Sequence, residues 1–279
     1  MRRRTAVALL GGGLASLSGC SALGGSGTAT STASQSSTGT PTPAPTTDLE
    51  VAGVDAPGTV EVNVPYEFAV RVRNPTDRRG TFESGLSLRI GGDGDWRALD
   101  GRIGGEVPPG ETRTVSGSLP PIAFLNTYDL RLDATGRTWS FETVARQRSF
   151  GDAFETPRGL SVVVLGGSFT TSYTGGGNES AARTPPSGSK WAIVRVRVLN
   201  PTDQEVTFPP FGAFSLLAGG SRHAVRISNP DQTIRITGER TEFELPFVVP
   251  EDVTADDITV RWKPVYGDRS TAATWAASG

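Results

Sequence analysis

The run Phe68-Ala69-Val70-Arg71-Val72-Arg73-Asn74-Pro75-Thr76-Asp77 alternates apolar with polar residues and then meets a proline. Phe68, Val70 and Val72 share one face and Arg71 and Arg73 the other, because side chains of an extended chain alternate with period two. This is the pattern of a half-buried antiparallel strand. The strand must stop near Asn74, since Pro75 has no N–H to give to a ladder. Asn at the first position and Pro at the second suit a type I turn. The phrase returns 126 residues later as Val194-Arg195-Val196-Arg197-Val198, which runs into Asn200-Pro201-Thr202-Asp203. Thr81-Phe82 is matched by Thr207-Phe208 at the same offset.

Weaker echoes extend the repeat. Leu86-Ser87-Leu88 and Phe214-Ser215-Leu216 each precede a glycine pair, Gly91-Gly92 and Gly219-Gly220. Gly110-Glu111 is matched by Gly238-Glu239, and Leu130-Arg131-Leu132 by Val260-Arg261-Trp262. Loop insertions between equivalent strands produce such a drifting offset, so the chain reads as two tandem copies of one fold. In the first copy, strand-like runs fall near 49–55, 60–73, 81–91, 95–99, 111–119, 126–133 and 137–144. Seven short strands separated by turn signals predict an immunoglobulin-like sandwich. Tyr128 stands where a tyrosine corner would sit. The second copy opens with Leu160–Leu165 and passes through a Gly-rich connection, 175–189, before Trp191 begins the repeated strand. The expected architecture is therefore all-β, two tandem immunoglobulin-like β-sandwich domains at 48–150 and 151–279 after a disordered tether.

The N-terminus reads as an address. Arg2, Arg3 and Arg4 precede an apolar stretch from Ala6 to Leu17, followed by Leu17-Ser18-Gly19-Cys20. A basic segment and a short apolar segment make an export signal. The stretch is shorter than the roughly 20 residues of a spanning helix and is broken by Gly11, Gly12 and Gly13. Consecutive arginines suggest twin-arginine export, with the general secretory route as the alternative. Small residues directly before Cys20 match a lipobox, so residues 1–19 are expected to be removed and Cys20 to carry a lipid. Residues 20–47 are almost wholly Ser, Thr, Gly, Ala and Pro. They have nothing to offset the entropy cost of ordering and read as a tether open to O-glycosylation.

Composition excludes several chemistries. One Cys and one His among 279 residues cannot build a zinc site or an internal disulfide. The net charge is -2, and removing residues 1–19 takes away three arginines and no acid, leaving -5. That balance gives no argument for nucleic acid, and no cofactor is implied.

The arginine-rich signal, the Ser/Thr-rich tether and the immunoglobulin-like copies together resemble the surface lipoproteins of halophilic archaea. Arg outnumbers Lys 25 to 2, which fits such a source. The second copy, with Ser187-Gly188-Ser189-Lys190-Trp191 leading into Ile193–Asn200, resembles their small extracellular domains of unassigned function. The resemblance implies attachment to the outer face of the cell membrane through Cys20. It carries no catalytic residues.

Few residues offer chemistry. His223 follows the second Gly-Gly turn without the nucleophile setting of a triad. Asp93, Asp95 and Asp100 crowd a Gly-rich loop around Trp96, which makes a hairpin turn or a calcium or glycan site. Asn178-Glu179-Ser180 is a glycosylation sequon. Trp139, Trp191 and Trp262 lie in strand patterns and are expected in the core. Two functions follow as expectations: a non-enzymatic lipid-anchored adhesion, assembly or accessory module for an unidentified surface protein or glycan, and a carbohydrate- or calcium-binding module centred on the Asp93–Asp100 loop. A hydrolase using paired carboxylates is a third.

Overall fold

In the computed structural model, which describes residues 48–174, 182–238 and 240–277, the alternating run is the central strand of a three-stranded sheet. Cys20, the arginines of the signal, the lipobox residues Leu17, Ser18 and Gly19, the tether and Asn178 lie outside the described residues. The first half contains β1 (Glu50–Asp55), β2 (Thr59–Glu61), β3 (Tyr66–Arg73), β4 (Gly80–Ile90), β5 (Arg97–Val107), β6 (Thr112–Leu119), β7 (Thr127–Leu132) and β8 (Thr138–Val144). One sheet runs β1-β3-β6 and the other β2-β8-β7-β4-β5. With β1, β3 and β6 as strands A, B and E and β4, β7 and β8 as C, F and G, this is the sheet division of an immunoglobulin-like sandwich. The expected run 60–73 is two strands, interrupted at Val62–Pro65, where Asn63 takes a positive φ of 61°. The expected 95–99 strand extends to Val107.

The second half is built from β9 (Arg146–Ser149), β10 (Ala153–Glu155), β11 (Ser161–Thr170), β12 (Tyr173–Thr174), β13 (Ala182–Arg183), β14 (Ser189–Leu199), β15 (Val206–Phe208), β16 (Phe214–Ala218), β17 (Ser221–Ala224), β18 (Ile234–Ile236), β19 (Arg240–Pro250), β20 (Thr259–Trp262), β21 (Val265–Tyr266), β22 (Arg269–Ser270) and β23 (Ala273–Ala276). Its main sheets run β10-β11-β14-β19 and β17-β16-β20-β23-β9. The repeated strands β3 and β14 thus hold corresponding places, flanked by β1 and β6 in one sheet and by β11 and β19 in the other. The only helices among the described residues are two 3-10 turns, Phe211–Ala213 and Ala255–Asp257.

Each pair of sheets encloses its own core. Val70, Val72, Leu130, Leu132 and Phe141 fill the first, where the rings of Tyr66 and Phe141 stack at 3.8 Å between centroids. Gly117 lies opposite Phe68, and a Cβ there would come within 2.3 Å of the ring, so only glycine lets the ring cross β6. Trp262 and Trp275 are buried in the second core with Phe154, Phe208 and Phe214. Trp191 is also buried, whereas Trp139 is half-buried at the margin of the first core and donates its indole N–H to the Tyr66 hydroxyl. The Tyr128 hydroxyl donates to the carbonyl of Phe124, four residues upstream, as a tyrosine corner does.

The repeated Asn-Pro-Thr-Asp is more than a surface turn. Asn74 is 0 % exposed, and its Oδ1 accepts from the N–H of Thr76 at 3.0 Å and from its hydroxyl at 2.7 Å. Its Nδ2 donates to the carbonyls of Arg78 at 2.6 Å and Val107 at 2.9 Å. Asn200 repeats the set: Oδ1 accepts from both groups of Thr202, and Nδ2 donates to Gln204 and to Ile236. One amide therefore closes the turn and ties it to a distant strand, which explains an Asn rather than a Ser or Asp at this place.

The halves meet through a single-residue break. β8 ends at Val144 and β9 begins at Arg146, so nearly continuous chain passes from one sheet into the other. Residues 146–149 pair in parallel with β23, so the second half's sheet takes up the chain before the boundary expected at 150/151. Val62, which follows β2 of the first half, is 0 % exposed within the second core. Its N–H donates to Val144 O at 2.9 Å. The Glu61 carboxylate binds Arg146 Nη1 at 2.7 Å and the N–H of Gln147, and Asn63 Nδ2 donates to Glu155 O. The described residues accordingly form one compact unit with two cores.

Candidate functional site

The outer face of β4, β7 and β8 carries an ordered polar network. On β4, Leu86 and Leu88 face the core, so Ser87 and Arg89 face out. On β7, Tyr128, Leu130 and Leu132 face in, leaving Asp129 and Arg131 outside. The register sets Arg89 opposite Asp129, Asp129 opposite Ser140, and Ser87 opposite Arg131. Arg89 Nε binds Asp129 Oδ2 at 2.7 Å, and the Ser140 hydroxyl donates to Asp129 Oδ1 at 2.5 Å. Beside them, Ser87 donates to Asp133 Oδ1 at 2.6 Å, and Arg131 Nε stands 3.5 Å from the same oxygen. The hydrogen bond from Ser140 and the charged one from Arg89 hold the Asp129 carboxyl below its ordinary value, despite opposing burial. Asp129 is thereby a fixed anion near neutral pH rather than a proton donor.

Trp96 closes over this network. Its ring lies 4.7 Å from Arg89 Cζ and 4.5 Å from Arg131 Cζ, measured to the centroid. Guanidiniums are drawn to the ring face by its quadrupole, so the indole and the two arginines fix one another. Trp96 is half-buried and engaged, not a lone ring at a hairpin tip.

The aspartates of the same loop are not brought together with it. Asp93 and Asp95 are exposed in the turn where Gly91 and Gly92 take φ of 74° and 73°, and Asp100 is exposed where the β4–β5 register shifts. Among the described residues no three His, Cys, Asp or Glu side chains converge as a metal set. His223 is on β17, with Nε2 3.4 Å from the carbonyl of Ala218 across the hairpin. Arg89, Arg131, Asp129, Asp133, Ser87 and Ser140 were not singled out by sequence. The alternation Leu-Ser-Leu-Arg at 86–89 and Tyr-Asp-Leu-Arg-Leu-Asp at 128–133 carries the signal that they share outer faces, but the register that pairs them is tertiary. Chemically, the arrangement is a flat, preorganised surface of Trp and Arg, residue types enriched where protein partners bind most strongly.

No family model matches the chain, and no curated protein matches it. Solved structures do. An uncharacterized β-sandwich protein from Clostridium difficile 630 is 11% identical, with a TM-score of 0.32, over 48% of this chain and 95% of that one. The yjhA protein from Bacillus subtilis is 13% identical, with a TM-score of 0.32, over 46% of this chain and 99% of that one. Red sea bream transglutaminase is 13% identical, with a TM-score of 0.33, over 84% of this chain but only 32% of its own length.

Proposed function

We propose that the chain is a lipid-anchored surface protein of the outer cell face, a non-enzymatic accessory or adhesion module that holds a binding surface away from the membrane. The observation that carries this reading is the junction. A body stiffened by the β8–β9 passage and by Val62 in the second core presents its surface as one rigid unit at the end of the tether, which a hinged pair does not. The Trp96, Arg89 and Arg131 face is the surface offered. No helix among the described residues is long and apolar enough to cross a membrane; attachment in this reading is by lipid at Cys20. Membrane fractionation of Cys20→Ala tests it: the variant is expected in the soluble fraction, and continued membrane association refutes the anchor. A second reading, glycan binding at Trp96, is favoured by the fixed pose of its ring. Calorimetry against a glycan panel with and without calcium decides it, and no heat from any of them removes it.

A further inference from the structure

A groove of about 490 Å3 runs along the junction between the halves. Asn126, Thr127 and Glu142 line it from the first half, and Arg261, Lys263 and Ser270 from the second. Arg261 is on β20 and Lys263 stands two residues on. The bond from Lys263 N to Ala213 O, 3.0 Å, continues the ladder by one residue, so both cations leave the same face of the sheet. Neither side chain has an ion-pair or hydrogen-bond partner among the described residues. Arg89, Arg102, Arg146 and Arg235 each hold a carboxylate at 2.6–2.7 Å, whereas Arg261 shares its want of one with arginines such as Arg148 that do not line the groove. Arg261 is also half-buried, and its register partner Ser215, 1 % exposed, has a hydroxyl with no hydrogen-bond partner. A guanidinium that reaches the groove without a carboxylate of its own is free to form a charge-assisted pair with an incoming anion.

The facing wall has a different character. Asn126 Oδ1 accepts from the N–H of Thr127 at 2.8 Å, which leaves its amide N–H groups to donate. Thr127 and Glu142 stand opposite each other on β7 and β8. The groove thus offers two cations on one wall and, on the other, amide and hydroxyl groups around a single carboxylate. Its size lies within the usual range for small-ligand sites, roughly 300–1,000 Å3.

We propose that this groove binds an acidic saccharide. The uronate carboxylate pairs with Arg261 and Lys263, ring hydroxyls donate to Glu142, and ring oxygens accept from Asn126 and Thr127. A compact anion such as phosphate satisfies the cations and leaves Glu142 facing like charge. A neutral sugar leaves both cations bare. The groove takes up the junction end of the β7–β8 outer face, next along from the Asp129–Ser140 pair, and does not depend on the lipid anchor.

Titration calorimetry of the purified full-length chain at low salt tests it, with trigalacturonate as the probe and maltotriose, inorganic phosphate and triglutamate as comparisons. Trigalacturonate is expected to bind, to weaken as salt rises, and to lose at least tenfold in affinity in both Arg261→Ala and Lys263→Ala. Lys263 is exposed, so its variant keeps the fold even if Arg261→Ala does not. Glu142→Gln is expected to weaken trigalacturonate while strengthening phosphate. Absence of trigalacturonate binding overturns the proposal, as does binding that both cation variants leave intact. Equal or tighter binding of phosphate or triglutamate overturns the saccharide assignment.

Discussion

Replacing Asn74 separates the two duties of its amide. In Asn74→Ala, four hydrogen bonds are lost, two to Thr76 and one each to the carbonyls of Arg78 and Val107. A protein hydrogen bond contributes about 0.5–1.5 kcal/mol net, and the bond to Val107 lies in the buried interior, where water cannot replace it. We expect a loss of about 2–4 kcal/mol, because the solvent-facing bonds are partly recovered from water. Asn74→Asp keeps an acceptor for Thr76 but turns a carboxylate oxygen towards two carbonyls, so it should cost more than Asn74→Ala at pH 7. Burial beside those carbonyls raises the pKa of the introduced carboxyl above its unfolded value. Its neutral form can donate, so part of the stability returns as pH falls towards the unfolded pKa. Pro75→Ala is the contrast, with about 0.4–1 kcal/mol lost, chiefly through a freer unfolded chain. Guanidinium unfolding followed by circular dichroism measures all three, and the corresponding changes at Asn200 should repeat the order. A cost for Asn74→Ala within the 0.5 kcal/mol typical of surface substitutions, or an Asn74→Asp variant as stable as the parent, refutes the reasoning.

Val62→Ala removes two methyl groups from the second core at a fully buried site, a loss of about 2 kcal/mol or somewhat more with the cavity. Hydrogen exchange should then quicken in β14 and β20 of the second half. A response confined to the first half breaks the claim that the junction couples the cores. Asp129 has a depressed pKa, so the stability it confers is present above the ordinary carboxylate value, near 4, and is lost as pH falls through the lowered pKa. The stability difference between the parent and Asp129→Asn should shrink below pH 4 in denaturation curves taken across acid pH, and a difference that stays constant contradicts the assigned cause.

Much of the strand framework is legible because its signals are local. Period-two alternation at 68–73 and 194–198, proline after asparagine, and paired glycines with positive φ at 91–92 and 219–220 all act within a few residues. The split of 60–73 is masked in the sequence because Val60, Val62 and Val64 keep the alternation going through the break. Pro65, which has no N–H for a ladder, and Asn63 at positive φ mark the break, and Val62 turns from it into the second core. β9 is masked for another reason: Arg-Gln-Arg-Ser has no apolar face of its own and is a strand only because β23 supplies the ladder. The polar network was half visible. The sequence offers Trp96 as a candidate, but the arginines that hold it come from strands whose pairing depends on contacts over 40 residues of sequence.

The sequence by itself determines an all-β chain with a repeated Asn-Pro-Thr-Asp, because strand alternation and turn chemistry are properties of neighbouring residues. Its N-terminal pattern likewise carries the expectation of a lipid anchor at Cys20. Tertiary structure decides what each repeated Asn binds, how the halves join and which charges remain unpaired. Those outcomes follow from register and from packing between distant segments. Val107 and Asn74, Val62 and the second core, and Arg261 and Glu142 at one groove come together only when two sandwiches close around their cores.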